Sequence, residues 1–270
     1  MSCGVSPRQR ASRLHPCPKC GRADWCFFSD DGTYVVCGRV SDGAIRRAGE
    51  AGWLHRLDGG LTHLPRHEEP IGPSPDFESI WRRLQRDTPG GFVGEVAHRL
   101  GVGEAALRSI GCARWGGNGR ETAAFPMMNP ECRIVGVRLR GDDGRKWCIR
   151  GSRQGLFIAA VQAEERVVIC EGPTDTAALL TAGIWAIGRP SCNGCEEWTG
   201  QVTKGKAAII LADADGPGRL GAAALAKAIW RQAKTVRLAE PLGAKDARDW
   251  IKTGSREELL AALDNAERYP

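Results

Sequence analysis

Arg166-Val-Val-Ile-Cys-Glu-Gly-Pro-Thr-Asp175 and, further along, Ala207-Ala-Ile-Ile-Leu-Ala-Asp-Ala-Asp215 share one layout, an apolar run that closes on carboxylates. Each run is short and unbroken, without the spacing of a helical face, so it reads as a buried strand. After each comes glycine and then an alanine-rich helical stretch, Thr174 to Ala182 and Leu220 to Trp230. Strand, turn and helix in alternation specify an α/β unit with a parallel sheet. Parallel strands bring their C-terminal ends to one edge, which is where open α/β sheets bind ligands. Glu171, Asp213 and Asp215 therefore converge although they are far apart in the chain. Carboxylates that close raise one another's pKa unless a cation sits among them, and hard oxygen ligands favour Mg²⁺ or Mn²⁺. The pattern points to a metal site for phosphoryl-transfer chemistry.

Glu171-Gly-Pro-Thr-Asp175 followed by Asp213-Ala-Asp215 resembles the signature of the Toprim family, the catalytic domain shared by bacterial and phage primases, topoisomerases and some nucleases. The likeness covers roughly Arg166 to Ile251. Asp215-Gly-Pro-Gly-Arg219 resembles the post-motif Gly and Arg of primases, and Lys245-Asp-Ala-Arg-Asp-Trp250 resembles their closing Lys-Asp segment. The resemblance implies a Rossmann-like domain with catalytic Mg²⁺ or Mn²⁺ on Glu171, Asp213 and Asp215. Glu171 serves there as a metal ligand or a general base, and Asp175 orients this end of the sheet. Asp175, Arg219 and Lys245 fall among the nucleotide- or DNA-binding residues.

Cys17-Pro-Lys-Cys20-Gly has the spacing of a zinc knuckle, two thiolates on a tight turn that the following glycine permits. Two further ligands are needed. Asp31-Gly32 between β-prone runs is a two-residue hairpin signal, and counting outward from it sets Cys26 opposite Cys37, with Cβ atoms about 5 Å apart. His15 competes for the fourth position, and the softness of the other ligands favours Cys26. Structural Zn²⁺ on Cys17, Cys20, Cys26 and Cys37 is the expectation. Eleven cysteines could suggest a disulfide scaffold, but Cys112, Cys132, Cys148 and Cys170 stand in ordinary strand and loop contexts. Arg8, Arg10 and Arg13 precede the knuckle with no apolar signal segment, and no run approaches the length of a membrane span. A cytoplasmic setting with no membrane partner follows. Cys192-Asn-Gly-Cys195 lacks a partner pair and reads as free thiols.

Pro65-Arg-His-Glu-Glu-Pro-Ile-Gly-Pro-Ser-Pro75 is too proline-rich and polar for a core and reads as a semi-rigid spacer. It separates a zinc-ribbon-like β module, 1–64, which is too small to hold together without its metal, from the rest. After the linker, 65–75, come a small basic α+β subdomain, 76–165, and the Toprim domain, 166–270. The subdomain opens with helices around Phe77 to Arg86 and Val93 to Leu100, and a short one over Gly101 to Arg108. A strand from Arg133 to Arg140 turns at Gly141-Asp-Asp-Gly-Arg145 and returns from Lys146 to Arg150. Alternation sets Val135, Val137 and Leu139 on one face, Arg138 and Arg140 on the other.

Seven basic residues against two acidic ones lie between Arg133 and Arg153, in a chain whose net charge is only +6, so the positive charge is concentrated here. Zinc module, basic subdomain and Toprim unit in that order are similar to primases, in which the basic subdomain faces the metal site across a groove. Arg138, Arg140, Lys146, Arg150 and Arg153 would then grip nucleoside triphosphates and single-stranded DNA template, with Trp147 either stacking a base or joining the core. Gly200-Gln-Val-Thr-Lys-Gly-Lys-Ala207 is not a P-loop: it lacks the Ser or Thr for magnesium and precedes a strand, so it reads as a loop. A replicative helicase in trans is then the expected partner. The tyrosines, Tyr34 and Tyr269, are poorly placed for strand passage. The resemblance thus implies RNA primer synthesis on single-stranded DNA. A Toprim nuclease and a non-catalytic DNA-binding protein of the recombination-mediator type are the alternatives.

Overall fold

The computed structural model describes residues 9–12, 15–29, 32–57, 75–117, 121–159, 165–241, 243–254 and 256–269. The chain divides into two compact units, Met1–Pro73 and Ser74–Pro270. Apart from Pro75, the proline-rich spacer lies outside the described residues, as does Asp31 of the hairpin turn.

The first unit is a five-stranded antiparallel sheet. Its strands are β1 (Gln9–Arg10), β2 (Cys26–Phe28), β3 (Tyr34–Cys37), β4 (Arg46–Arg47) and β5 (Trp53–Arg56), in the order β1-β2-β3-β5-β4. β2 and β3 pair in the register counted from the turn: Cys26 faces Cys37, and Phe28 faces Val35. Gly32 has φ +68°, in the left-handed region, and its N–H donates to the Ser29 carbonyl at 2.9 Å. The module's apolar core is slight, Ala11, Phe28 and Val35 packed with buried Cys17, Cys26 and Cys37. Half of the buried members of that cluster are cysteines.

The second unit opens with three helices, α1 (Phe77–Arg86), α2 (Phe92–Leu100) and α3 (Glu104–Ser109). Asp76 caps α1 by accepting the Ser79 N–H at 3.1 Å. Then β6 (Ala113–Trp115), β7 (Thr122–Met128), β8 (Ile134–Gly141) and β9 (Lys146–Cys148) form an antiparallel sheet in sequence order. The return strand ends at Cys148, short of the expected Arg150. The alternation along β8 is as expected for Val137 and Leu139, both buried against Phe77 and Trp81 of α1, while Val135 is only partly covered. Arg138 and Arg140, opposite Phe125 and Ala123 of β7, lie on the other face. That face is not a solvated one. Its apolar members Ala123, Phe125 and Met127 share a core with α2, α3 and Ala177 of the following domain.

The remaining elements are β10 (Phe157–Ile158), β11 (Arg166–Glu171), α4 (Gly172–Thr181), β12 (Ala186–Arg189), α5 (Glu196–Val202), β13 (Ala207–Leu211), α6 (Gly216–Ile229), β14 (Thr235–Ala239), α7 (Ala247–Thr253), α8 (Arg256–Asp264) and β15 (Glu267–Arg268). They build a six-stranded sheet ordered β10-β12-β11-β13-β14-β15, parallel from β12 to β14 and antiparallel at both edges. Four-residue apolar runs in β11 and β13 are buried because helices cover both faces: Leu225, Ala226 and Ile229 of α6 on one, Leu179 of α4 with Trp250 of α7 and Leu259 of α8 on the other. Helices α4 and α6 begin earlier than expected, since Gly172-Pro173 and Gly216-Pro217 open the first turn, where proline lacks no needed donor. Gly188 on β12 passes so close to the Thr176 hydroxyl and the Gly172 carbonyl that no side chain fits there. The stretch from Gly200 is not wholly a loop: Gly200 to Val202 finish α5, and a turn then leads into β13. No helix among the described residues is long and apolar enough to cross a membrane.

Candidate active site and metal centre

β11 lies between β12 and β13, so the chain leaves it to one side and then returns to the other. At such a switch point the strand ends are parted and a crevice opens. Glu171 ends β11 at that edge, and Asp213 follows β13. Each of the following helices starts on an acidic residue: Glu171 precedes α4, and Asp215 caps α6 by accepting the Gly218 N–H at 2.7 Å. Asp215 thus gives one oxygen to the helix and keeps an exposed side chain. Asp175, only 7% exposed on the first turn of α4, accepts the Arg248 backbone N–H at 3.0 Å and ties α4 to the start of α7.

The electrostatics record how tightly these groups are gathered. Burial pushes Asp213 up to about 7, helped by Glu171, Asp246 and Asp215. Burial also raises Asp175 to about 7, helped by Asp246 and Asp213 and opposed by the Arg248 N–H. Glu171 is raised by burial, by Asp215 and by Asp175, with Arg189 and Lys146 acting the other way. The carboxylates are open toward one another rather than closed: among the described residues, only the four cysteines bring ligand atoms all within 4.8 Å. An open acidic cluster suits magnesium, which keeps several waters and substrate oxygens in its shell.

Cations face this cluster. Lys146 lies at the surface, yet surrounding protein desolvates its ammonium and lowers its pKa, with Arg140 adding repulsion and Asp175 and Asp213 opposing. Arg140 is likewise lowered by burial and by Arg248, with Asp175 and Asp246 opposing. Arg138 donates to the Pro190 carbonyl at 2.5 Å, just past β12. Beside Lys146 opens a cleft of about 960 Å³ lined by Thr122, Gly141, Asp142, Asp143, Arg145 and Trp147. Trp147 meets Trp115 edge to face at 6.1 Å, partly buried.

Other expected residues have partners or surroundings of their own. Arg150 is exposed beyond β9. Arg153 lies over the Trp198 ring at 5.8 Å. Arg219 forks onto Glu240 at 2.8 and 3.0 Å, a pair that occupies its guanidinium. Lys245 is exposed, and its carbonyl accepts the Ala214 N–H at 2.9 Å, which brings the Asp-x-Asp turn beside the Lys-Asp segment. Cys192 and Cys195 are free thiols, both raised by burial.

Sequence reasoning missed two members. Arg189 ends β12 in register with Glu171 and is 3% exposed. Its guanidinium donates to the Gly194 carbonyl at 2.7 Å and to Glu196 at 2.9 Å, pinning the loop after β12. Ala186-Ile-Gly-Arg189 was a third apolar run ending in charge, and that signal was available. Asp246 acts on both Asp175 and Asp213 while capping α7 through the Asp249 N–H at 2.8 Å. Asp246-Ala-Arg-Asp249 carried a capping pattern that would have placed it.

In the zinc-ribbon-like module, the sulfurs of Cys17, Cys20, Cys26 and Cys37 form the one group of metal-ligand atoms found among the described residues, and His15 is not in it. Cys20 and Cys26 sulfurs are 3.6 Å apart, Cys26 and Cys37 3.8 Å. A tetrahedron with zinc–sulfur bonds of about 2.3 Å has edges of about 3.8 Å, so the sulfurs stand at the corners such an ion requires. Burial raises Cys17 and Cys26, whereas at Cys20 burial is outweighed by the Arg22 N–H and the neighbouring thiols, which lower it to about 7.

No family model and no curated protein sequence matches the chain. Solved structures do. The Aquifex aeolicus primase, zinc-binding and RNA polymerase domains, is similar at 14% identity with TM-score 0.59, covering 98% of this chain and 82% of that one. The primase fragment of the bacteriophage T7 primase-helicase is similar at 16% identity and TM-score 0.55, covering 92% and 97%. A DnaG primase catalytic domain bound to single-stranded DNA is similar at 15% identity and TM-score 0.55, covering 71% and 77%. The fold is that of the DNA primases. A four-cysteine cluster precedes the core in the sequence.

Two outcomes follow. Purified protein should carry one zinc, lost in Cys26→Ser and kept in His15→Ala; retention in the first and loss in the second by metal analysis would reverse the ligand choice. Asp213 has a folded pKa near 7 against an ordinary 3.8, so ionising it opposes folding. Without divalent metal, its contribution to stability is full below pH 3.8 and is lost as pH rises through about 7. Melting of metal-free Asp213→Asn should therefore fall less between pH 5 and 8 than that of the parent. An equal or larger fall would show that Asp213 is not raised by its burial and its neighbours.

Proposed function

We propose that the protein synthesises RNA primers on single-stranded DNA by metal-dependent nucleotidyl transfer. The observation that carries this reading is the confrontation at one crevice of a mutually repelling carboxylate cluster, Glu171, Asp213 and Asp215, with Lys146 and Arg140. Likeness to a primase domain described with an RNA/DNA hybrid and dTTP, and to a primase domain with single-stranded DNA, supports it.

The chain's residues divide the work by charge. Glu171, Asp213 and the free oxygen of Asp215 would hold one or two Mg²⁺ or Mn²⁺ ions. Metal bound there lowers the pKa of the attacking 3′-hydroxyl and offsets charge on the triphosphate. Lys146 and Arg140 neutralise phosphate oxygens across the crevice, where partial desolvation strengthens each contact. Glu171, its carboxyl already raised, is fitted to take a proton as well as to bind metal. Asp175 and Arg189 position: the first joins α4 to α7, the second fixes the loop beside Glu171. Arg138, Arg150 and Arg153 lie on the same hairpin and the strap after it, and their phosphate contacts would guide template without reading it. The zinc module, with Zn²⁺ on its four cysteines, supplies template selection. A replicative helicase acting in trans is the partner this arrangement would serve, in the cytoplasm.

Labelled-ribonucleotide incorporation on single-stranded DNA with Mg²⁺ or Mn²⁺ tests the proposal. Primers should appear with the parent protein, vanish in Asp213→Asn, and require a higher nucleotide concentration in Lys146→Ala. Cleavage of the DNA with no need for triphosphate would instead favour a nuclease, and incorporation by Asp213→Asn at the parental rate would remove the metal site from the chemistry.

A further inference from the structure

The zinc module presents one side chain at odds with the economy of its fold. Trp25 has φ +59°, in the left-handed region that a bulky L-residue adopts only under strain, and its indole is 69% exposed. Burial therefore does not compensate the strain. The conformation is imposed from both sides. Arg39 donates to the Asp24 carbonyl at 2.9 Å and to its carboxylate at 2.8 Å, and Cys26, the next residue, is fixed in the sulfur cluster. Gly38 passes against the Trp25 carbonyl so closely that a Cβ there would stand 2.9 Å from it. The backbone is thus clamped while the ring is left outside.

The surroundings of Trp25 say what such a ring could meet. β2 begins just after Trp25, β3 ends before Gly38, and the register runs Cys26 to Cys37, Cys37 to Trp53, Trp53 to Arg47. Trp25, Arg39, Trp53 and Arg47 therefore belong to one end of the sheet, the end that holds the cysteines. Arg47 is exposed there, and so is Arg22, whose carbonyl accepts the Cys17 N–H. Asp24, the acid next to Trp25, is neutralised by Arg39. Protein interfaces seat a tryptophan among other apolar contacts that exclude water, and membrane surfaces need an apolar face. An exposed indole at a sheet end that also carries exposed arginines fits neither. Single-stranded nucleic acid needs only an open π-face and cations along its backbone.

The geometry points to Trp25 as a stacking platform for an unpaired base of single-stranded nucleic acid, with Arg22 and Arg47, on the same end of the sheet, for phosphates further along the strand. The inference rests on the reading of the zinc module as the template-selecting part and names the residue that makes the contact.

Full-length, zinc-loaded protein carrying Trp25→Ala, Trp25→Phe or Trp25→Gly tests it by anisotropy of a labelled single-stranded oligodeoxynucleotide, with zinc content and melting measured alongside. Trp25→Ala should bind roughly 10-fold more weakly, and Trp25→Phe should keep most of the affinity. Trp25→Gly should melt higher, because glycine accepts the left-handed backbone, and yet lose affinity as alanine does. Affinity within about two-fold of the parent in Trp25→Ala or Trp25→Gly would overturn the inference. Primer synthesis by the parent together with unchanged DNA affinity in Trp25→Ala would sink this contact and leave the primase reading standing. Loss of DNA affinity in Trp25→Ala with no primer synthesis by the parent would do the reverse.

Discussion

Mutual repulsion among carboxylates at one sheet edge is the constraint around which the second unit is arranged. Asp175 and Asp213 are both driven up to about 7, and Glu171 is raised with them, by burial and by one another. A fold gains nothing from such a cluster by itself. It is tolerated because other parts of the molecule meet it: Arg189 from the neighbouring strand, Arg140 and Lys146 from the antiparallel sheet, and the Arg248 N–H at the start of α7. Each partner comes from a different element. The core shared by α2, α3, β7 and α4 is what holds the cationic sheet against the acidic edge.

Strain of this kind is informative because it is directed. The cations are themselves desolvated and held near one another, so Lys146 and Arg140 are also less comfortable than they would be in water. Opposed, partly buried arrays of unlike charge are poised to accept a bridging ligand that carries both signs, as a metal-bound triphosphate does. The zinc module is organised by a similar excess. Its apolar core is small and its four sulfurs are crowded together, so its stability would rest on a metal ion held among them.

Much of this could be read in the amino-acid order. The apolar runs of β11 and β13 ended where their carboxylates required, because a buried parallel strand has few other ways to finish. Cys26 met Cys37 because the position of a hairpin turn sets the register of everything outward from it. The basic strand was equally visible, but its orientation was not. Alternation separates Arg138 and Arg140 from Val137 and Leu139 without saying which side faces solvent, and α1 took the apolar side while the arginines turned inward. Arg189 and Asp246 were overlooked for a related reason: a charged strand end and a helix cap can be read locally, but which carboxylates they meet follows from the order of strands and the placement of α7.

Binding of Mn²⁺ followed by electron paramagnetic resonance tests most directly whether the acidic edge is a metal site. The parent protein should bind Mn²⁺ saturably, and more tightly when a nucleoside triphosphate is present, while Glu171→Gln should lose that binding and keep its zinc. Equal Mn²⁺ binding by the parent and Glu171→Gln, or none by either with triphosphate present, would contradict the account.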